Sequence, residues 1–220
     1  MVSPVAAVAF DLDGVLIDSE PVWEEVRRAY VAEHGGRWQP DSQRRLMGMS
    51  TAEWAAYLSE ELGVDRPPEV VATQVLDRMA ERYGDRPPLL DGAVAAVGRL
   101  AERWPLGLAS SSPRRLIGLV LQVSGLAGQF GAVVSTEEVA HGKPAPDAYL
   151  EVAARLGADP RGCAAVEDSS NGVRSAAAAG MRVIAIPSQR YPLDDDAAAR
   201  ASTILDRLDE LTAITVERLA

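Results

Sequence analysis

The chain has one cysteine in 220 residues, two histidines, and no stretch approaching the 18 or more apolar residues of a membrane span. Cys163 alone excludes an internal disulfide, and its setting in "GCAAVEDS" fits core packing with no catalytic role. His34 and His141 have no partner visible in the sequence and read as structural or exposed. The N-terminal residues lack the basic region and apolar core of a signal peptide, so the expected compartment is the cytoplasm. Basic residues are also scarce: 22 Lys and Arg face 32 Asp and Glu, a formal net charge of −10 that opposes general attraction to nucleic acid or an anionic membrane. No internal repeat occurs, and the one biased segment, "SAAAAG", suits a helix packed closely on a sheet.

What is present is a core-forming composition, 47% hydrophobic and 25% charged, enough for one large domain or a domain with a substantial insertion. Short apolar runs of strand length recur at residues 5–10, 106–109, 132–134, 163–166 and 182–186, each followed by polar or glycine-rich residues. Helical patterns at about 113–123, 146–156 and 170–180 separate the later runs. Strand alternating with helix predicts a parallel α/β sheet covered on both faces, with ligands at the carboxyl ends of the strands.

Residues 20–83 break this rhythm with helical patterns at roughly 20–34, 41–46, 51–62 and 68–83, and no convincing strand. They read as an inserted helical module, joined after Asp18 and leaving through "GDRPPLLDG", whose prolines stop a helix and stiffen the connection. The expected division is a core of residues 1–17 and 88–220 and an insertion of residues 18–87. Two adjacent linkers would let the insertion rock over the strand ends.

The polar residues after each apolar run carry the chemistry. Asp11 and Asp13, spaced by two, share a side of an extended backbone and form an acidic face. Burying an unpaired carboxylate costs about several kcal/mol, so such a cluster needs a cation, a shared proton or solvent. With Asp168 the pair offers the hard oxygen ligands that Mg²⁺ prefers. Ser110, Ser111 and Ser112 precede a helix with Pro113 expected at its first position, a favourable arrangement for phosphate, although Ser112 alone is explained as a helix cap. Lys143 sits between Gly142 and Pro144, in a loop able to direct it inward, and Glu167 and Asp168 end an apolar strand before a helix that Ser169 or Ser170 can cap.

The ordered set D-x-D-G, S-S-S-P, G-K-P and E-D-S-x-x-G resembles the haloacid dehalogenase superfamily, in its phosphatase and phosphomutase branch, along essentially the whole chain. The resemblance implies a Rossmann-like core with helices on both faces and a small α-helical cap. It implies Asp11 as the nucleophile that forms an aspartyl-phosphate and Asp13 as general acid and then base. Ser110 and Lys143 would hold phosphoryl oxygens. Mg²⁺ would lie between the Asp11 carboxylate, the Asp13 backbone carbonyl and Asp168, with Glu167 as a further ligand or a supporting group.

Within that branch "LIDSEPVW", "GLASSSP" and "VEDSSNGV" most resemble bacterial sugar-phosphate phosphatases such as those acting on 2-deoxyglucose 6-phosphate. The alternative is a β-phosphoglucomutase. Against it, Trp23 stands where the mutases place a histidine, and Thr51 of "GMST" where they place a cap arginine that grips a distal phosphate. Arg44, Arg45 and Arg114 are possible substitutes. Trp23, Met47, Met49, Thr51 and Trp54 are candidates for the substrate-facing cap surface, while Asp18 is expected to organise the hinge through hydrogen bonds. A receiver module also places acids, a hydroxyl residue and a lysine around Mg²⁺, but needs neither cap nor second acid in D-x-D; a non-catalytic scaffold would not need the full motif set. The expected partner is a small phosphorylated substrate, with neither nucleic acid nor membrane, bound by a monomer.

Overall fold

The computed structural model describes residues 4–46 and 49–219. Strand β1 (Ala7–Phe10) is followed by helices α1 (Glu20–Glu33), α2 (Ser42–Leu46), α3 (Thr51–Ala56), a π-helical turn (Tyr57–Glu61) and α4 (Pro68–Asp85). Then come α5 (Ala93–Ala101), β2 (Leu106–Ser110), α6 (Arg114–Val123), β3 (Phe130–Ser135), α7 (Asp147–Leu156), β4 (Cys163–Glu167) and α8 (Ser170–Ala178). The chain closes with β5 (Arg182–Ala185), α9 (Asp195–Ala198), β6 (Thr203–Ile204) and α10 (Ala213–Glu217). All five strand pairs are parallel and the order is β3-β2-β1-β4-β5-β6. The order reverses between β1 and β4, where an open α/β sheet places its ligand crevice. No helix among the described residues is long and apolar enough to cross a membrane.

Alternation along the strands divides the core in two. Val8 and Phe10 of β1, with Leu106 and Leu108 of β2, face a cluster that includes α5, α6 and α10. Ala7, Ala9, Ala109, Ala165 and Cys163 face the other, under α7, α8 and α9. Alanine dominates the second face because α7 lies very close to the sheet: a Cβ on Gly107 would stand 2.3 Å from Val152 Cγ1. Cys163 is buried there, its Sγ 3.3 Å from the Asp159 carbonyl, so it is a packing residue.

The first cluster continues without a break through Leu12, Leu16 and Ile17 into the inserted helices, reaching Trp23, Tyr30, Trp54 and Val75, and α4 packs against α6. The connections into and out of the insertion run side by side. Asp18 N–H donates to Pro88 O at 2.8 Å and Leu90 N–H to Leu16 O at 2.9 Å, around an antiparallel bridge between Ile17 and Leu89. Asp18 therefore joins this pairing through its backbone; its exposed carboxylate makes no hydrogen bond among the described residues. Leu108 is fully buried in the first cluster, so Leu108→Ala should lower unfolding stability by about 2–5 kcal/mol through lost burial and cavity formation, measured by urea denaturation.

Candidate functional site

Pairing in the sheet brings the acidic residues together. Phe10 lies opposite Val166 and the Asp11 N–H donates to Val166 O at 2.9 Å, so Asp11 leaves β1 beside Glu167 at the end of β4. Lys143, from the loop after β3, reaches between them: its Nζ is 2.8 Å from Asp11 Oδ1 and 2.6 Å from Glu167 Oε1. All three side chains are almost wholly buried, at 6%, 8% and 0% exposure for Lys143, Asp11 and Glu167. Burial works against the Lys143 ammonium, but the Asp11 and Glu167 carboxylates outweigh it and hold the group charged above its ordinary value. Burial pushes Asp11 up to about 8, reinforced by the charges of Glu167 and Asp13 and only partly relieved by Lys143. Asp168 is also pushed well up, first by burial and then by Glu167 and Asp11.

Glu167 is held from all sides. Oε1 also accepts from Tyr149 OH at 2.7 Å, while Oε2 accepts from the backbone N–H of Asp168 at 3.1 Å, that of Ser169 at 3.4 Å and Ser169 Oγ at 3.3 Å. Five donors meet a carboxylate that offers about four lone-pair sites. Ser169 Oγ in turn accepts from Gly172 N–H at 3.1 Å and caps α8. Position 172 has to be glycine, because a Cβ there would stand 1.9 Å from Glu167 Oε1.

Asp13 engages a different set of partners, since β1 ends at Phe10 and the chain bends at Leu12. Its Oδ2 accepts from Ser110 Oγ at 3.0 Å and Ser112 Oγ at 2.8 Å. Its Oδ1 is buried with no hydrogen-bond partner among the described residues. Ser112 thus serves Asp13 and does not cap α6, which has Pro113 at its N-cap and Arg114 first in the helix, one position later than the sequence pattern implied. Gly14 follows with φ +80°, and its backbone passes so near Asp168 that a Cβ would stand 1.9 Å from Oδ2.

Asp11, Glu167 and Asp168 each place a carboxylate oxygen within 4.8 Å of the others. With Asp13 nearby, four carboxylates share the Lys143 ammonium, a charge imbalance that suits a divalent cation. Buried oxygens of this hardness fit Mg²⁺. The saturated Glu167 has least capacity left for it, which leaves Asp11 and Asp168 as the better carboxylate ligands.

Above the strand ends, the insertion and core line an open cleft with a cavity volume of ≈ 110 Å³. Trp23, Met49, Thr51 and Trp54 line it from the insertion, opposite Asp13, Ser111 and Ser112. Trp23 and Trp54 are also core residues of the insertion, at 7% and 2% exposure with ring centroids 6.0 Å apart. Met47 falls outside the described residues. Arg44, Arg45 and Arg114 do not line the cavity, and Arg114 bonds instead to the Val133 carbonyl at 2.7 Å. His34 bonds the Tyr30 carbonyl at 2.9 Å, and exposed His141 lies 3.1 Å from Asp147 Oδ1, so neither reaches the site. Sequence reasoning passed over Glu20 and Arg27, which line the same cavity. Their signal was position: Arg27 falls on the buried stripe of α1 with Trp23, Val26, Tyr30 and Val31.

Residues 5–180 match the model of the family described as haloacid dehalogenase-like hydrolase. Hexitol phosphatase B of Escherichia coli strain K12 is 36% identical over 216 residues, covering 95% of each chain. Fructose-1-phosphate phosphatase of the same strain is 30% identical over 182 residues, 81% of this chain and 95% of that protein. Among solved structures, a HAD family hydrolase from Deinococcus radiodurans R1 with bound phosphate and sodium superposes with a TM-score of 0.72 at 31% identity, over 97% of this chain and 96% of that one. The chain belongs to the haloacid dehalogenase-like hydrolase family, and these two curated relatives, matched along most of its length, are phosphatases.

Proposed function

We propose that the protein is a Mg²⁺-dependent phosphatase that releases inorganic phosphate from a small sugar or sugar-alcohol phosphate through a phosphoryl group carried on Asp11. The observation that carries this reading is the buried Asp11–Lys143–Glu167 bridge beside Asp168. It supplies a nucleophile, a fixed cation and a carboxylate cluster at one point of the sheet. Mg²⁺, held by the Asp11 and Asp168 carboxylates and the Asp13 carbonyl, would keep the carboxylates ionised and offset charge on the phosphoryl oxygens.

The chain's own residues perform the transfer. Asp11 attacks phosphorus through Oδ2 while Lys143 holds Oδ1. The P–O bond to the leaving group breaks as Asp13 gives that oxygen a proton. In the second step Asp13 takes a proton from water, the water oxygen bonds to phosphorus, and Asp11 departs as a carboxylate. Ser110 and Ser112 fix Asp13 by its Oδ2 and leave Oδ1 without a partner among the described residues, so that it can carry the proton. The exposed Ser111 hydroxyl is available to phosphate oxygens, whereas the Ser112 N–H is taken by Ser110 Oγ at 2.9 Å and the Arg114 N–H by Glu137 Oε2 at 3.2 Å.

Residues 18–87 form the cap in this reading and residues 1–17 and 88–220 the core. The cleft is small, ≈ 110 Å³ against roughly 300–1,000 Å³ for small-molecule sites, and in this reading the cap turns to widen it for substrate. The paired linkers are where it would turn.

Phosphate release should be assayed over a panel of phosphorylated metabolites that includes β-glucose 1-phosphate with its bisphosphate. Asp11→Asn should lower turnover by at least about 10³-fold and Asp13→Asn by about 10²–10⁴-fold. Full activity in Asp11→Asn contradicts the mechanism, and rapid formation of glucose 6-phosphate with little free phosphate identifies a mutase. Because Asp11 sits near 8 without a metal, Mg²⁺ must displace its proton below that pH. Calorimetric Mg²⁺ affinity should then weaken from pH 8.5 to 6.5, approaching about tenfold per pH unit for each proton displaced. An affinity independent of pH would mean that Asp11 is already ionised across this range and would contradict its raised pKa.

A further inference from the structure

Arg27 is the anomaly of the cleft. It projects from α1 at 6% exposure, its guanidinium carbon 4.4 Å above the Trp23 ring and 5.1 Å from that of Trp54. Among the described residues it has no hydrogen bond and no ion pair, and its Nε is buried without a partner. Burial pushes it down to about 10 against the pull of Glu20, so it stays charged at neutral pH. A buried cation of this kind is costly unless something pairs with it, and the group it faces is the cavity shared with Asp13 and Ser111. The guanidinium lies over both indole rings, which limits how far its fork of N–H donors can move.

We infer that Arg27 is the specificity-determining residue of this cleft, donating its guanidinium N–H groups to the hydroxyl oxygens of a neutral, polyhydroxylated leaving group. This inference rests on the phosphatase reading above and assigns the part of the substrate that is not phosphate. Glu20 lies in the same cavity, its carboxylate steadied by Gln43 Nε2 at 2.6 Å. A hydroxyl both accepts and donates, so it can satisfy Arg27 and Glu20 together. A second phosphate at Arg27 would instead carry its charge toward Glu20 and Asp13.

The test compares kcat/KM for sorbitol 6-phosphate with that for phenyl phosphate, whose leaving group carries no additional hydroxyls, in the wild type, Arg27→Met and Arg27→Lys. Arg27→Met leaves an unbranched apolar side chain between the two indoles and should fold, while Arg27→Lys keeps the charge and loses the fork. The ratio of the two kcat/KM values should fall about 10- to 100-fold in Arg27→Met and also fall in Arg27→Lys. A ratio within about twofold of wild type in both variants overturns the assignment, because hydrogen bonds to a charged donor are worth more than that.

Calorimetry in an Asp11→Asn background gives a second reading that needs no turnover. There Arg27→Met should raise the Kd of sorbitol 6-phosphate about tenfold or more. A wild type inactive on both substrates, with that Kd shift intact, overturns the phosphatase reading and leaves Arg27 as the hydroxyl contact. An active wild type with an unchanged ratio and Kd does the reverse. Tighter binding of glucose 1,6-bisphosphate than of sorbitol 6-phosphate, lost in Arg27→Met, would place a second phosphate on Arg27 and overturn the neutral leaving group.

Discussion

The Lys143 ammonium, sealed between Asp11 and Glu167 at 2.8 and 2.6 Å, is the contact on which the rest of the site depends. Two carboxylates from adjacent strands cannot be buried this closely without a cation, and once it is there their positions become stiff. Glu167 transmits that stiffness outward: Tyr149 reaches it from α7 and the start of α8 wraps around its other oxygen. The glycine at 172 follows from the same constraint. Two of the helices on the alanine-rich face are therefore tied to the charge balance of the strand ends as well as to the core.

On the other side of Asp11 the chain bends and gives Asp13 a separate set of partners. Ser110 and Ser112 hold one of its oxygens, and Ser135 from the next strand donates to the Ser112 carbonyl at 2.8 Å. The ends of β1, β2 and β3 are thus joined by hydroxyls, whereas β1 and β4 are joined by charge. Two neighbouring aspartates acquire different surroundings, which is what the proposed division into a nucleophile and an acid–base group requires.

Much of this was legible because strand ends carry their chemistry in short, ordered motifs. The apolar runs located β1 to β5 closely, and the spacing of Asp11, Asp13, Ser110, Lys143 and Asp168 anticipated which residues meet. Two-residue β6 left no periodic signal, and α5 follows the proline-rich linker without a cap residue that marks its start. Ser112 was ambiguous because a serine before a helix caps it more often than it serves a distant carboxylate. Arg27 was missed for a related reason: charged residues on an amphipathic helix are usually solvated, and only the packing of Trp23 and Trp54 shows which one is enclosed. Asp18 was expected to organise the hinge through hydrogen bonds, and the one it makes there runs from its backbone N–H to the Pro88 carbonyl.

In the proposed mechanism transfer to Asp11 is the central step, and it would leave a covalent mark. Asp13→Asn should be mixed with acetyl phosphate, a donor whose leaving group needs no protonation, then quenched in acid and mapped by peptide mass spectrometry. The mechanism predicts one phosphoryl group on the peptide that carries Asp11, removed by hydroxylamine and absent when Asp11 is also asparagine. An unmodified Asp11 peptide during continued phosphate release, or a phosphoryl group on another residue, would contradict it.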